Sequence, residues 1–403
     1  MGNQFSSIQS NLAQLKNFYQ GPIVSQFNDE IPVYRGSEKI KNAYTGQQVI
    51  RPLKVRRNPG IGATSDGGIL PAIGRQTTVQ AIIAAKYNYL RFGVTGPMIK
   101  ASQNDTGAFV RAAAYELEEG YKDLKSDVNR QLSWDGSGWL ARVSANAVAT
   151  PVITIAGREA VEAPDKFLDV GLTVDIVTTA GTVVASAVDI LSITGTGSTR
   201  TVTLSGPVTA AAGTYLIRTG SAGQEINGLL TQLDGLTTTV FNVDRSLFPS
   251  ARGNVVDLGA GQLTLDAMQQ AWNLGLQRGG AKYSAIFTDF DSLRYYQKLL
   301  TADKRYSNTV KGDGGFAAKD QFYLDFNGIP VVPDKDCPQR MFFLPWDAFK
   351  AYMLAELEFA DETGSMYIAQ VAADQLEVRV RLFMNLFNEK ASASAALRNY
   401  LSP

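Results

Sequence analysis

The chain has 403 residues, 45% of them apolar, which is enough to form two or three packed domains. Its 38 lysines and arginines balance 38 aspartates and glutamates, so the chain as a whole does not attract nucleic acid or an acidic membrane. Histidine is absent, which excludes Ser-His-Asp and Cys-His catalysis. The single cysteine, Cys337, excludes an internal disulfide and a thiolate zinc site, and we expect it to be a small buried residue.

The sequence carries no sign of a membrane address. Its first 20 residues lack a basic segment followed by an apolar stretch, and no run approaches the roughly 18 apolar residues of a membrane helix. We therefore expect a protein made and used in a reducing, cytosol-like compartment, with no membrane partner.

Residues 3–19 have the apolar spacing of an amphipathic helix. Apolar side chains recur at steps of three and four, and Gly21-Pro22 ends the pattern. So short a helix needs a surface to lie on, and its own domain and a neighbouring subunit are equally open as that surface. The apolar positions are Phe5, Ile8, Leu12, Leu15 and Phe18.

Residues 46–100 form a basic block with one acid, Asp66. Two β-branched and aromatic stretches, at 49–57 and 76–92, flank a Gly/Pro tract. This pattern predicts a long two-stranded arm with a flexible tip, and such a ribbon must pack on something else to be stable. The cations expected to make inter-subunit contacts are Arg51, Lys54, Arg56 and Arg57.

The clearest periodicity in the chain predicts one long helix over residues 107–133. At 1.5 Å per residue this helix would be about 40 Å long. Its outer face is acidic, and two interpretations stay open: a solvated face, or a contact with the basic arm of another copy. The acids of that candidate contact are Glu116, Glu118, Glu119, Asp123 and Asp127.

The composition changes sharply at residues 151–223. Short β-branched runs there are separated by glycines, which is typical of a small barrel or sandwich. Helical and mixed sequence resumes afterwards, so we interpret the segment as an inserted all-β module.

Residues 224–340 alternate between helix and strand patterns. One predicted helix is closed by Gly279-Gly280, and Thr288 with Asp291 has the capping-box spacing that opens another. Near the end, apolar residues from Leu376 to Leu386 alternate with mostly polar ones, which predicts a long strand.

Three carboxylate pairs are the only candidates for chemistry. One pair could share a cation, but it lacks the further oxygen ligands of a calcium loop. The other two could act as acid and base, but helix capping and a solvated turn explain them with fewer assumptions. We therefore predict no catalytic, cofactor-binding or metal residue. The pairs are Asp334 with Asp336, Asp289 with Asp291, and Asp361 with Glu362.

The order of these elements resembles the major capsid protein of tailed bacteriophages, the Hong Kong ninety-seven type fold. Three stretches sharpen the resemblance: Asn-Gly-Ile-Pro-Val-Val at 327–332, Arg-Met-Phe-Phe-Leu-Pro at 340–345, and Val-Arg-Leu-Phe-Met-Asn-Leu-Phe at 380–387. The resemblance implies an α+β fold with an N-terminal arm, an extended β-hairpin arm, a long spine helix, peripheral and axial domains, and an inserted small all-β domain. The implied division is an N-terminal arm at 1–45, the β-hairpin arm at 46–100, a peripheral domain with the spine helix at 101–150, the inserted domain at 151–223, an axial domain at 224–340, and a return to the peripheral domain with the C-terminus at 341–403.

The resemblance implies a structural protein and not an enzyme. Copies would form hexamers and pentamers, and these would build an icosahedral shell that encloses phage double-stranded DNA without reading its sequence. Portal, scaffolding and decoration proteins would be partners, no cofactor is implied, and the shell would assemble in the host bacterial cytoplasm as part of the virion.

Two other functions remain open from the sequence. One is the shell of a cellular nanocompartment of the same fold, which a cargo enzyme would favour. The other, from a different class, is a carboxylate-based hydrolase with a β-sandwich binding module, which loss of turnover on replacing Asp289 or Asp361 would favour.

Overall fold

The computed structural model describes residues 31–95, 106–159, 162–233, 238–302, 324–360, 367–369 and 374–403. The helix predicted over residues 3–19 and the pair Asp361 and Glu362 lie outside these ranges. Over the described residues the fold is α+β, as predicted, and strands dominate it. None of the helices in those ranges is long and apolar enough to cross a membrane.

Helices are few in the described ranges, and the longest is the one with the clearest periodicity. It covers 28 residues, and its predicted stripe is confirmed because Leu117, Tyr121, Leu124, Val128 and Leu132 are at most 7% exposed. The helices are α1 (Pro32–Gly36), α2 (Thr106–Ser133), α3 (Leu229–Leu233), α4 (Leu265–Gly279) and α5 (Phe290–Ala302), with short 3-10 turns at Pro249–Ala251, Trp346–Ala348 and Ala391–Ala393.

Strands make up most of the regular structure. They are β1 (Glu38–Lys41), β2 (Gln48–Arg56), β3 (Thr77–Ala84), β4 (Lys86–Thr95), β5 (Trp139–Val143), β6 (Ala147–Ala156), β7 (Thr173–Val177), β8 (Val183–Thr194), β9 (Thr199–Ala210), β10 (Tyr215–Arg218), β11 (Thr239–Val240), β12 (Val243–Asp244), β13 (Asn254–Gln262), β14 (Ala285–Thr288), β15 (Asp325–Phe326), β16 (Ile329–Pro333), β17 (Arg340–Leu344), β18 (Phe349–Phe359), β19 (Tyr367–Ala369), β20 (Gln375–Asn388) and β21 (Ala395–Leu401).

The chain divides into two compact units. The first comprises residues 1–49, 83–130 and 350–386, and the second comprises residues 50–82, 131–349 and 387–403. In the first unit one sheet runs in the order β1-β18-β20-β19, and β4 also pairs with β20. The strand predicted from Leu376 to Leu386 is confirmed by β20, in which Val378, Val380, Leu382 and Met384 are buried.

The second strand of the predicted arm is shorter than its composition suggests. The stretch 76–92 is split at Ala85: β3 pairs with β2, whereas β4 pairs antiparallel with β20 from Lys86–Met384 to Thr95–Gln375. The prediction of one strand over 76–92 is therefore wrong. Both halves are β-branched and aromatic, so their composition does not reveal the change of partner.

The second unit contains a closed six-stranded barrel, in the order β10-β5-β6-β9-β8-β7. It closes because the short strand β10 pairs with β5 on one side and β7 on the other. Its core is filled by inward-facing aliphatic residues such as Ile153, Ile155 and Val202. The barrel begins at Trp139, before residue 151, because β5 lies wholly before the predicted module and β6 starts at Ala147 and crosses its boundary.

A six-stranded sheet forms the rest of the second unit, in the order β13-β21-β17-β14-β16-β15. Met268 and Ala271 of α4 and Tyr296 of α5 are buried in its core. The Thr264 side chain accepts a hydrogen bond from the Ala267 N–H at 3.1 Å and caps α4. Gly280 ends the helix in the left-handed conformation, with φ of 59°, so the predicted glycine stop is confirmed.

The predicted capping box at Thr288 is wrong by one residue. Thr288 is the last residue of β14, and its hydroxyl donates to the Arg340 carbonyl oxygen at 2.8 Å. Asp289 caps α5 instead, because its Oδ2 accepts from the N–H groups of Asp291 and Ser292 at 3.1 and 3.2 Å.

Candidate functional site

The four candidate cations lie on and just after β2, which forms a two-stranded ribbon with β3. Arg51 is at the middle of β2, where its Nη2 atom lies 2.6 Å from Glu389 Oε1. Lys54 and Arg56 are exposed, and Arg57 follows the end of the strand. Successive side chains of a strand point to opposite faces, so Arg51 faces away from Lys54 and Arg56. The strand therefore divides these cations between its two faces.

The candidate acids on α2 are partly paired within the helix itself. The Lys122 ammonium lies 3.4 Å from Glu118 and 2.8 Å from Glu119, and its hydrogen bond to Glu119 raises the pKa of Lys122. Asp127 lies 3.0 Å from Arg130. Asp123 is exposed, and the Glu116 side chain lies outside the described part of the helix.

These internal pairs reduce the charge that α2 offers to a partner. Residues 117–133 carry four acids against the cations Lys122, Lys125 and Arg130, and four minus three leaves a net charge of −1. The four candidate cations belong to the second unit and the candidate acids of α2 belong to the first. A contact between them in different copies stays a prediction.

Sequence reasoning missed the tip of the ribbon as a site in its own right. Between β2 and β3 four aliphatic side chains are almost fully exposed: Ile61 at 83%, Ile69 at 95%, Leu70 at 79% and Ile73 at 101%. Large apolar surface that is exposed to solvent marks interaction sites, and these four side chains lie on one loop. The signal in the sequence was the presence of large aliphatic residues inside a Gly/Pro tract.

The tip has a closed neck built from glycine. A Cβ added to Gly74 would lie 2.6 Å from the Gly60 backbone nitrogen and 2.3 Å from Asn58 Oδ1. The Gly60 N–H donates to Asn58 Oδ1 at 2.9 Å, which holds one side of the neck. At the far end, the Gly68 N–H donates to the Ser65 carbonyl oxygen at 2.9 Å and closes a turn. The two sides of the loop are in backbone contact at the neck, and this leaves no room there for side chains.

A cavity of about 370 Å³ lies at the base of the ribbon. Its walls come from β2, from residues 240–251 and from residues 387–392, with Leu53, Val55, Val240 and Phe241 among the apolar residues. One residue of this wall is joined to β3, because the Ile82 N–H donates to the Phe241 carbonyl oxygen at 2.9 Å. Four cations and one acid also line it, so its net charge is +3: Arg51, Lys54, Arg245 and Lys390 against Glu389.

A second cavity, of about 210 Å³, gathers acids around Cys337. Burial raises the pKa of Glu159, Glu162 and Asp289, although Arg340 lies 2.8 Å from Glu159 and Lys166 lies 3.1 Å from Glu162. Cys337 is 1% exposed, which confirms the prediction of a buried residue.

The candidate carboxylate pairs have structural partners wherever the structure describes them. Asp289 caps α5, as described above. The Asp336 N–H donates to Asp334 Oδ1 at 2.8 Å, and Lys335 lies 3.0 Å from Asp336 Oδ2. In the described ranges no group of three or more cysteine, aspartate or glutamate side chains is arranged to hold a metal ion.

Known proteins match this chain in three-dimensional structure, whereas the comparisons by sequence found no match. No protein-family model and no curated protein matches the chain. The capsid subunit of cyanophage A-1(L) matches with a TM-score of 0.54 and 14% identity, over 92% of this chain and 92% of that chain. The capsid subunit of the native GTA particle matches with a TM-score of 0.50 and 9% identity, over 92% of this chain and 90% of that chain.

The fold is therefore that of a viral capsid subunit. More particularly, it is the Hong Kong ninety-seven type fold of tailed-phage major capsid proteins, which the resemblance in sequence predicted. At identities of 14% and below the likeness concerns the fold, and function is argued separately below.

Proposed function

We propose that the chain is a major capsid protein. Its copies assemble into hexamers and pentamers, and these form an icosahedral shell that encloses phage double-stranded DNA. The observation that carries this proposal is the match in fold to the cyanophage capsid subunit, which covers 92% of both chains.

Two features of the chain support a structural role. The chain has no histidine to serve as a general base near neutral pH. It also presents large aliphatic side chains on the ribbon tip. Such side chains stabilise a structure only when another surface covers them. Both features are typical of a structural protein that functions by binding to other protein surfaces.

The proposed assembly requires partners and a place. The chain itself is the first partner, and each interface between copies should bury at least roughly 1,000 Å² to be stable. Portal, scaffolding and decoration proteins complete the particle, which assembles in the host bacterial cytoplasm and becomes the virion capsid.

Electron microscopy of the purified full chain tests the proposal. The chain should sediment as large particles, and images should show closed shells. Particles from phage lysates should contain this chain and protect double-stranded DNA from nuclease. A chain that stays monomeric at high concentration, with no such particles in lysates, would contradict the proposal. Shells that enclose a protein cargo instead of DNA would favour a cellular nanocompartment.

A further inference from the structure

The cavity at the ribbon base carries an excess of positive charge. Arg51 lies on the same face of β2 as the half-buried Leu53 and Val55, whereas the Lys54 side chain lies on the opposite, exposed face. Without Lys54, three cations and one acid line the cavity, and three minus one leaves a net charge of +2. These charged residues are Arg51, Arg245, Lys390 and Glu389.

Two of the three cations are guanidinium groups that neighbouring residues hold in place. Arg245 is 5% exposed, and its Nη1 donates to the Thr231 carbonyl oxygen at 2.9 Å. The Arg51 Nη2 atom lies 2.6 Å from Glu389 Oε1, so this guanidinium already binds one carboxylate. A guanidinium group presents several N–H donors in a planar fork and can bind more than one oxygen atom. Lys390 is exposed and adds an ammonium group.

The net charge of the cavity indicates which kind of anion fits it. A carboxylate carries a single negative charge, whereas a phosphate monoester carries about −1.5 to −2 at pH 7. The phosphate monoester therefore matches the net charge of +2 more closely than a carboxylate does. Its several acceptor oxygens also suit donors that come from three separate segments of the chain, as they do here.

The cavity also has an apolar side. Its volume of about 370 Å³ lies in the range of roughly 300–1,000 Å³ that proteins use for small organic ligands. The rings of Phe241 and Phe387 meet edge to face there, with centroids 5.2 Å apart. A ligand with a phosphate at one end and a flat apolar body at the other would contact both sides. The apolar residues of the lining are Leu53, Val55, Val240, Phe241 and Phe387.

The backbone at Phe241 has an unfavourable conformation. Phe241 and Asn242 form the two-residue turn between β11 and β12, and both are left-handed, with φ of 52° and 64°. Asparagine and glycine are usual in such a turn, whereas a bulky residue at positive φ is an outlier. The Ile82 N–H holds the turn by donating to the Phe241 carbonyl oxygen at 2.9 Å. Backbone strain of this kind is concentrated at functional sites, which include ligand-binding sites.

We propose that the ribbon-base cavity binds a phosphate monoester with a flat apolar body, such as a nucleotide. Arg51, Arg245 and Lys390 bind the phosphate, and Phe241 with its apolar neighbours contacts the body of the ligand. The source of this group is either a free nucleotide or the phosphorylated end of a DNA strand. The inference concerns a single copy of the chain, so it does not depend on assembly into a shell.

Calorimetric titration of the dilute, unassembled full chain tests the site. Deoxyadenosine monophosphate should bind, and deoxyadenosine and inorganic phosphate should each bind at least about tenfold more weakly, because each lacks one half of the ligand. Added salt should weaken the binding of the monophosphate, since salt screens the attraction between the charges. Absence of binding to the folded chain, or equal binding of the monophosphate and deoxyadenosine, would overturn the inference and leave the proposed function standing.

Two substitutions in the lining should change the affinity for deoxyadenosine monophosphate in opposite directions. Lys390→Gln removes a charge-assisted hydrogen bond and should weaken binding by about tenfold. Glu389→Gln removes the competing carboxylate and should tighten binding by about threefold or more. The matched control is Lys282→Gln, at an exposed lysine before β14, which should bind like the wild type. A loss of folding would weaken binding in both lining variants, so weaker binding by both, or wild-type binding by Lys390→Gln, would show that the site is wrong.

Short single-stranded oligonucleotides distinguish the two sources of the phosphate. Tighter binding of a strand with a terminal phosphate than of deoxyadenosine monophosphate, and of the same strand without that phosphate, would identify a DNA end as the ligand. Binding of the monophosphate with no preference for the phosphorylated strand would identify a free nucleotide. If both strands bind more tightly than the monophosphate, and Lys282→Gln weakens them as much as Lys390→Gln does, surface cations attract phosphates without a site and the inference is wrong.

Discussion

Gly60 and Gly74 face each other across the neck of the ribbon tip, so closely that a Cβ on Gly74 would lie 2.6 Å from the Gly60 nitrogen. Real Cβ atoms do not approach backbone so closely, and a side chain at this position must push the two sides of the loop apart. The contact is within a surface loop and outside the buried clusters of the barrel and the sheet. Its expected role is therefore to shape the tip, with little effect on the stability of the cores.

Gly74→Ala tests this role of the neck. We expect the variant to fold with an unchanged melting temperature and to assemble at least about tenfold less readily, because the opened loop no longer holds its aliphatic residues in one arrangement. Sedimentation velocity measures assembly, and circular dichroism measures melting. Gly206→Ala is the control, since a Cβ there meets only Val188 Cγ1 at 3.9 Å. Normal assembly of Gly74→Ala would show that the neck is not needed.

Long periodic segments were the part of this fold that the sequence predicted well. The stripe of α2 and the alternation of β20 extend over many residues, so each pattern outweighs local exceptions. The start of the barrel was harder, because β5 and β6 begin in a stretch without β-rich composition. The split of the arm at Ala85 depends on which strand accepts each half, and pairing partners are not encoded in local composition.

The candidate site shows the same division. Charged residues of the basic segment could be named from the sequence, but their pairing could not, because Glu389 lies 338 residues away from its partner Arg51. The ribbon-base cavity is built from segments near residues 53, 241 and 390, so no local pattern predicts it. The tip, in contrast, could have been recognised from its four large aliphatic residues among glycines and prolines.

Excision of the barrel should leave the rest of the chain folded. The chain enters the barrel at β5 and leaves it at β10, and these strands pair with Ile217 opposite Trp139. The Gly223 N–H also donates to the Ser137 carbonyl oxygen at 3.1 Å, so the two ends of the insertion are adjacent. Removal of residues 139–221 with a two-glycine bridge should give soluble protein. The six-stranded sheet that packs with α4 and α5 should be unchanged. Limited proteolysis and circular dichroism would measure this.

The matched control for excision uses the boundaries that the composition suggests. Removal of residues 151–223 leaves β5 and the first part of β6 without the strands that close the barrel. Exposed strand edges promote aggregation, so this variant should be insoluble. If the 139–221 deletion is also insoluble, the barrel is part of the main core and is not an independent module.

The Asp289 carboxyl should make stability depend on pH. Burial raises its pKa above the ordinary value of 3.8, so the folded chain holds this proton more tightly than the unfolded chain. The stabilisation is therefore complete below the ordinary pKa and is lost as pH rises through the folded pKa. Asp289→Asn keeps a side-chain oxygen that can cap α5, but the asparagine side chain cannot ionise. The melting temperature of Asp289→Asn minus that of wild type should therefore increase from pH 4 to pH 7.

Asp289→Ala provides the contrast, because it removes the cap together with the charge. Loss of an N-cap costs about 0.5–2 kcal/mol, so this variant should melt below Asp289→Asn at every pH. Melting curves of dilute, unassembled protein would record both effects. A difference between wild type and Asp289→Asn that does not change with pH would show that Asp289 does not titrate in this range.

Charge reversal on the ribbon tests whether its cations contact a neighbouring subunit or DNA. Lys54 and Arg56 are exposed on one face of β2, and Arg57 follows them, so these residues are available to an outside partner. The acids of α2 on another copy are the partner we favour. An exposed ion pair contributes only about 0–1 kcal/mol, but a shell repeats the contact in every subunit. We therefore expect Arg56→Glu with Arg57→Glu to impair the assembly of empty shells.

Reversal of the partner charges completes the test. Glu118→Lys with Glu119→Lys in the same chain should restore part of the assembly, and Asp266→Lys, an exposed acid on α4, should not. High salt should reduce the difference between wild type and the arginine variant, because surface charges are screened beyond about 8 Å at physiological ionic strength. Contact with DNA predicts another result. If the cations bind phosphates, their reversal should reduce DNA packaging and leave the assembly of empty shells unchanged. If the arginine variant forms normal empty shells and loses only packaged DNA, the ribbon cations face DNA and the contact with α2 is wrong.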